Sequence, residues 1–214
     1  MHTLNNEAIE EYCENHTQDE SDLLKSLERE TNLKVLRPRM ISGKLQGRFL
    51  SFISKLIQPQ YALELGTYTG YSALCLAEGL TANGELHTVE INPELEELIL
   101  KYVDQSPYSE QIFLHIGDGN DWINKLDYCW DLVFIDAEKK DYFQYYENIL
   151  PKMRKGGIIL VDNLLWSGKV VEEVAKNDHE TQAILAFNQH VQQDQRVTNL
   201  LLPFRDGLML IEKL

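Results

Sequence analysis

The chain has 214 residues, 43% hydrophobic and 25% charged, the proportions of a globular protein with room for a substantial core. Its 34 acidic and 20 basic side chains leave a net charge of −14, which disfavours nucleic acid and anionic membranes as partners because no surplus of Lys and Arg exists to displace counterions. Three widely spaced cysteines without a CxxC pair, and six histidines without HxH or HExxH spacing, argue against a disulfide framework, a structural zinc site or a histidine-based metal centre.

The opening stretch MHTLNNEAIEEYCENH has neither a basic leader nor an apolar run, and no apolar segment matches the length of a membrane span. The expectation is a soluble, cytoplasmic protein. Residues 1–31 carry nine acidic and two basic side chains, half of the net charge. Two acidic amphipathic helices are expected at 4–16 and 20–31. Ile9, Tyr12, Cys13 and His16 share one face of the first, and Leu23, Leu24 and Leu27 one face of the second. Such faces pack on the domain or on a dimer partner. With no internal repeat, low-complexity tract or Gly/Ser linker, the chain is expected to form a single domain over 1–214, with 1–35 as an acidic helical appendage.

From residue 43 onward two periods alternate. GKLQGRFLSFISKLI has helical spacing, YALELG is a short apolar strand, and YSALCLAEGL is a helix. ELHTVEI is a strand, followed by the helix PELEELILKYV with Pro93 in its first turn, where a missing N–H costs nothing. QIFLHIGDG, WDLVFID and GGIILVDN supply three further strands, and KDYFQYYENILPKM a helix between the last two. Strands alternating with helices imply right-handed crossovers and a parallel sheet covered on both faces. After a helix around ETQAILAFNQHVQQD the pattern breaks, because VTNLLLPF and DGLMLIEKL are two strands joined by a short turn. They are expected to form an antiparallel hairpin closing one edge of the sheet.

The strand ends carry the chemistry. LELGTYTG runs from strand through a glycine loop into a helix, the place where open α/β sheets bind ligands. Its spacing is Gly66-x-x-x-Gly70, not the GxGxxG that cradles a pyrophosphate, and Glu64 would repel phosphate. That pattern suits a ligand with a cationic amine and no phosphate, such as S-adenosylmethionine; the glycines would equally serve a tight turn alone. Glu90, about twenty residues on, stands where an acid accepts hydrogen bonds from ribose hydroxyls. Gly117, Asp118 and Gly119 in HIGDG could hold an adenine, or Asp118 could simply cap the next helix.

LVFIDA and IILVDN end alike, on Asp136 and on Asp162-Asn163. If their strands are neighbours, about 4.8 Å apart, the carboxylates nearly touch and repel. A divalent cation removes the conflict, since its oxygen ligands lie at about 2.0 to 2.6 Å. Asp136, Asp162 and the Asn163 amide oxygen then make an oxygen-ligated site with open positions. Lys139, three residues beyond Asp136, could lean over the same crevice as a general base, whereas Lys140 is expected in solvent. Trp166 is either a wall for a flat substrate or a core residue.

Together, MISGKLQGRFL, LELGTYTGYSALCLA, TVEINPE, GDG, FIDAEKKDY, VDNLLWSGKV and LPFRDGLMLIEK resemble the cation-dependent class I S-adenosylmethionine O-methyltransferases. That group includes catechol and caffeoyl-coenzyme A O-methyltransferases and small bacterial relatives. The resemblance covers residues 36–214 and rests most on the paired FIDAxKxxY and VDN motifs. It implies a Rossmann-like α/β fold, with a seven-stranded mostly parallel sheet, an antiparallel last strand and helices on both faces, commonly in a homodimer. It also implies Asp136, Asp162 and Asn163 as ligands of Mg²⁺, Mn²⁺ or Ca²⁺, and Lys139 as the catalytic lysine beside Asp136. Met40, Glu64, Gly66, Tyr68, Ser72, Glu90 and Asp118 are implied as cofactor contacts, with Gly117, Gly119 and Asp136 adjoining. Gly43-Lys44 and Arg48 depart from the family pattern at positions that bear on the acceptor.

The expected function is methyl transfer to a hydroxyl of a vicinal-dihydroxy aromatic small molecule. Within the same family the alternative acceptor is a hydroxylated uridine of transfer RNA, approached through a basic funnel of Arg37, Arg39, Lys44 and Arg48. A nucleotide-binding oxidoreductase or a non-catalytic scaffold on the same fold is the reading from a different class.

Overall fold

An apolar strand without alternation must be covered on both sides. In the computed structural model, which describes residues 7–214, the strand that best meets this condition is β4, Trp130–Ile135, where Leu132, Val133, Phe134 and Ile135 are all fully buried. It sits fourth in a seven-stranded sheet of order β3-β2-β1-β4-β5-β7-β6. The remaining strands are β1 (Tyr61–Leu65), β2 (Glu85–Glu90), β3 (Ile112–Ile116), β5 (Met153–Val161), β6 (Val197–Leu202) and β7 (Leu208–Lys213). β3, β2, β1, β4 and β5 pair in parallel, and β7 inserts antiparallel between β5 and β6. The expected reversed last strand is therefore present, and the hairpin closes the edge with β6 outermost.

Side chains alternate across the sheet and divide the core in two. Leu132 and Phe134 join Ala62, Leu86 and Leu160 beneath α2 (Asp22–Lys34), α3 (Gly43–Ile57), α4 (Tyr71–Ala77) and α5 (Glu96–Asp104). Val133 and Ile135 join Leu63, Val89 and Ile159 on the other face, beneath α6 (Gly119–Lys125), α7 (Tyr142–Ile149) and α8 (His179–Gln193). Full burial of each large apolar side chain contributes about 1.5–3 kcal/mol. α3 and α4 pack closely at Gly47, where a Cβ would come within 2.6 Å of the Tyr71 ring.

The helix boundaries follow local chemistry. Ser21 caps α2 through Leu24 N–H, and Asp178 caps α8 through Thr181 N–H. α3 ends on Gln58 in the left-handed region, directly before Pro59. The two acidic helices are present, α1 being Glu7–Asn15; its expected start at residue 4 lies outside the described residues. Their faces differ. Leu24 and Leu27 of α2 are buried in the core, but Ile9 and Tyr12 of α1 are 45% and 63% exposed and Cys13 is also exposed. Packing on the domain therefore holds for α2 and not for the apolar face of α1. Among the described residues no helix is long and apolar enough to cross a membrane.

Candidate active site

Strand order reverses between β1 and β4: β1 leads on to β2 and β3 on one side, and β4 to β5 on the other. Crossover connections leave a crevice at the carboxyl ends of such a pair. Here that crevice is a cavity of about 850 Å³, walled by the ends of all five parallel strands together with Arg37, residues 39–42, Gln46, Trp166 and the β6–β7 turn. Met40, Gly66, Tyr68, Ser72, Glu90, Gly117, Asp118 and Gly119 stand on its wall, as do Asp136, Lys139, Asp162, Asn163 and Trp166.

Gly66 follows β1 at φ +99°, and a Cβ there would overlap the Asp136 carbonyl oxygen. Only glycine permits both the conformation and the approach of the two strand ends. Glu64 is the expected cavity residue that does not reach the wall. It points between β1 and α4, fully buried, with one oxygen accepting from Thr88 Oγ1 at 2.5 Å and Oε1 without a hydrogen-bond partner. Burial pushes its carboxyl up to about 8, against the pull of the Ser72 and Thr88 hydroxyls.

At the end of β2, Glu90 is 6% exposed and accepts from Tyr68 N–H at 2.7 Å and Asn92 N–H at 2.8 Å. Burial raises its carboxyl above the usual range. Tyr68, at φ +51°, ties the loop to residues 36–37, its hydroxyl donating to Leu36 O at 3.1 Å. At the end of β3, Asp118 caps α6 through Asn120 and Asp121 N–H, both bonds made to Oδ1. The capping role is thus real, and Asp118 also borders the cavity.

The ends of β4 and β5 are in register. Ile135 pairs with Val161, and Asp162 N–H donates to Ile135 O at 3.0 Å. Asp162 is buried; its Oδ1 accepts from Asn163 N–H at 2.8 Å and its Oδ2 from Gln46 Nε2 at 2.6 Å. Burial first, and then the charge of Asp136, raise its carboxyl above the ordinary carboxylate range. Asn163 takes φ +63°, a left-handed turn that Asn tolerates better than most residues. Lys139 opens a short 3-10 turn, Lys139–Asp141, and Nζ donates to Asp136 Oδ1 at 3.1 Å, Ala137 O at 3.1 Å and Tyr142 Oη at 2.8 Å. Lys140 is exposed, as expected. Tyr142 is fully buried and donates to Asp162 O at 3.2 Å.

Trp166 lines the cavity and is also packed, partly buried, against the core. Its ring centre lies 6.0 Å from Lys139 Nζ, and its indole nitrogen is buried without a partner. The β6–β7 turn holds this loop: Leu164 and Leu165 N–H donate to Gly207 O and Asp206 O at 2.9 and 2.8 Å.

Gln46, Arg205 and Tyr142 were missed as supports of the strand-end acids. All three lie inside stretches that carry the family resemblance, which is the only signal that marked them. Of the expected basic funnel, Arg37 and Arg39 line the cavity, whereas Arg48 pairs with Glu78 at 2.6 Å and Lys44 with Asp19 at 2.9 Å. Away from the cavity, Glu147, His190 and Asp194 are close enough together to suit a metal, but Arg196 pairs with Glu147 at 2.7 Å and Asp194 at 2.6 Å and already supplies positive charge there.

Residues 14–214 match the family model for O-methyltransferases. A caffeoyl-CoA O-methyltransferase from Zea mays is 32% identical over 205 residues, covering 91% of this chain and 79% of its own. The SAH-bound methyltransferase PaMTH1 from Podospora anserina superposes with a TM-score of 0.89 at 28% identity, covering 97% and 94% of the two chains. The O-methyltransferase TomG from Streptomyces achromogenes, solved with SAM, does so with a TM-score of 0.87 at 25% identity, covering 96% of each.

Proposed function

We propose a specific chemistry for this chain, which belongs to the O-methyltransferase family and takes its methyl group from S-adenosylmethionine: transfer to one hydroxyl of a vicinal aromatic diol, with a divalent cation at the β4–β5 ends. The observation that carries the reading is the in-register placement of Asp136 and Asp162 at the floor of the cavity, with Asn163 beside them.

The donor set fits a hard cation. Two carboxylates and an amide oxygen are the ligand chemistry of Mg²⁺ or Mn²⁺, and a buried carboxylate at Asp162 beside the charge of Asp136 is otherwise unfavourable. A cation held by Asp136, Asp162 and Asn163 would bind both oxygens of a diol and acidify the one to be methylated. Lys139 Nζ, on the same rim, would take that proton as the neutral amine, after giving up one of the three N–H groups it donates to Asp136, Ala137 and Tyr142. Trp166 offers an apolar face for the aromatic ring on the same cavity wall as Asp136 and Lys139.

The cofactor side is assigned in the same way. Glu90 is positioned to accept from ribose hydroxyls, and Gly117, Asp118 and Gly119 border the adenine. Met40, Tyr68 and Gly66 complete the wall. Glu64 Oε1, buried and unpartnered, is the natural acceptor for the cationic amine of S-adenosylmethionine, approached past Ser72. The diol oxygen forms its bond to the methyl carbon as the carbon–sulfur bond breaks, and the electron pair returns to sulfur to leave S-adenosylhomocysteine. Alignment of oxygen and methyl supplies much of the rate.

Methyl transfer to catechol or caffeic acid, followed by mass spectrometry, is expected to stop with EDTA and to return with Mg²⁺ or Mn²⁺. Transfer that continues unchanged in chelator would reject the cation-dependent reading.

A further inference from the structure

Asp162 owes its position to a chain of two residues that begins on the far hairpin. Gln46, on α3 and 2% exposed, donates from Nε2 to Asp162 Oδ2 at 2.6 Å. Its Oε1 accepts from Arg205 Nη1, and the same Arg205 nitrogen also donates to Ser42 O. Arg205 sits in the β6–β7 turn at φ +49°, where the reversed strand order brings it over the cavity.

The two ends of a glutamine amide have the same shape, so only its partners decide which way it faces. A guanidinium offers donors only, and an ionised carboxylate acceptors only. Gln46 between Arg205 and Asp162 therefore has one satisfactory orientation, with oxygen toward the arginine and NH₂ toward the aspartate. The opposite orientation would set donor against donor and acceptor against acceptor. Placed directly on Asp162, Arg205 would form a two-pronged ion pair that occupies both carboxylate oxygens. The intervening amide takes one lone pair of Oδ2, and Asn163 N–H takes one of Oδ1, so each oxygen keeps a second.

We infer that Gln46 is a positioning residue for the cation site, and that Arg205 acts through it by locking the amide so that Asp162 is oriented yet open to a ligand. The inference rests on the proposed role of Asp162 as a cation ligand.

The test uses the full chain and Mn²⁺ as the probe, with free Mn²⁺ read by electron paramagnetic resonance. Gln46→Ala should weaken Mn²⁺ binding about 10- to 100-fold, the usual cost of removing a group that orients a metal ligand. The Mg²⁺ concentration for half-maximal activity should rise by the same factor, whereas S-adenosylhomocysteine affinity by calorimetry stays at the wild-type value. Arg205→Ala should weaken Mn²⁺ in the same direction, and the double variant should be no worse than Gln46→Ala. Arg205 lies in a surface turn, so its variant carries the test if Gln46→Ala does not fold. Wild-type Mn²⁺ affinity in the single variants, or losses that simply add in the double one, would overturn the inference and leave the cation reading standing. Failure of the wild-type protein itself to bind Mn²⁺ would overturn both.

Discussion

Asp136 and Asp162 emerge side by side from β4 and β5, because Ile135 and Val161, the residues just before them, are paired in the sheet. The fold could have placed an apolar residue or an asparagine at either position. It keeps instead a buried carboxylate at Asp162 beside a second one. Folding holds the proton of Asp162 more tightly than the unfolded chain does, so this group subtracts stability as pH rises from the ordinary carboxylate range through its raised value. Asp162→Asn removes that loss. At pH 7.5, without added cation, its urea midpoint should rise, by about 1 kcal/mol in unfolding free energy, whereas methyl transfer to catechol should fall on the order of 100-fold or more. A lower midpoint would show that the carboxylate is needed for the fold itself.

Glu64 presents a related conflict on the cofactor side. With its carboxyl pushed up to about 8 by burial, it holds a proton at neutral pH until a cationic partner arrives. Binding of S-adenosylhomocysteine should therefore release a proton near pH 7, seen by calorimetry in buffers of different ionisation enthalpy. Glu64→Gln should abolish that release and weaken binding by about 1.5–3 kcal/mol, the worth of a hydrogen bond to a charged group. Identical heats in all buffers would place the amine elsewhere.

A pair of histidines sets a limit at acid pH. His87 on β2 and His115 on β3 share a hydrogen bond of 2.9 Å, and Glu85 lies 3.2 Å from the other nitrogen of His87. Phe113, Tyr128 and Trp130 surround His87, and Trp122 covers His115. Burial depresses both imidazoles, His115 to about 4. Because the unfolded chain takes up these protons first, stability should be complete above the usual histidine range near pH 6.5 and decline as pH falls toward 4. Urea titrations of His115→Gln at pH 7 and pH 5 should show a smaller loss than the wild type, and an equal loss would assign the acid limb to other groups.

Gly66 tests the closeness of the strand ends. Gly66→Ala must accommodate both a left-handed φ of +99° and an overlap with the Asp136 carbonyl. The conformation alone costs about 1–3 kcal/mol. Unfolding midpoints should fall, and affinity for S-adenosylhomocysteine and Mn²⁺ should weaken together because the β1 and β4 ends share that contact. A variant with wild-type stability would mean that the loop relaxes freely.

Most of the sheet was legible because its signals are local. Apolar runs such as LVFI and IILV, punctuated by glycine, proline and polar caps, depend on neighbouring residues only, and they located all seven strands. The acids at their ends were legible for the same reason, since a strand that stops on Asp136, Asp162, Glu90 or Asp118 puts that side chain at the crevice whatever else the chain does. Periodicity was silent on depth. It marked an apolar face on α1 as readily as on α2, although only α2 is covered, and neither it nor the family resemblance showed that Glu64 lies fully buried behind the cavity wall.

By itself, then, the order of residues determined an α/β sheet with acidic strand ends and a reversed terminal pair, because backbone periodicity and capping are decided within a few residues. Tertiary structure alone decided that β7 lies inside β6, that Glu64 is recessed, and that Arg205 reaches Asp162 through Gln46. Those contacts join residues 116 and 159 positions apart. Hydrogen bonds of that range form only where packing brings a donor-only and an acceptor-only group to opposite ends of one amide, and no local pattern encodes that meeting.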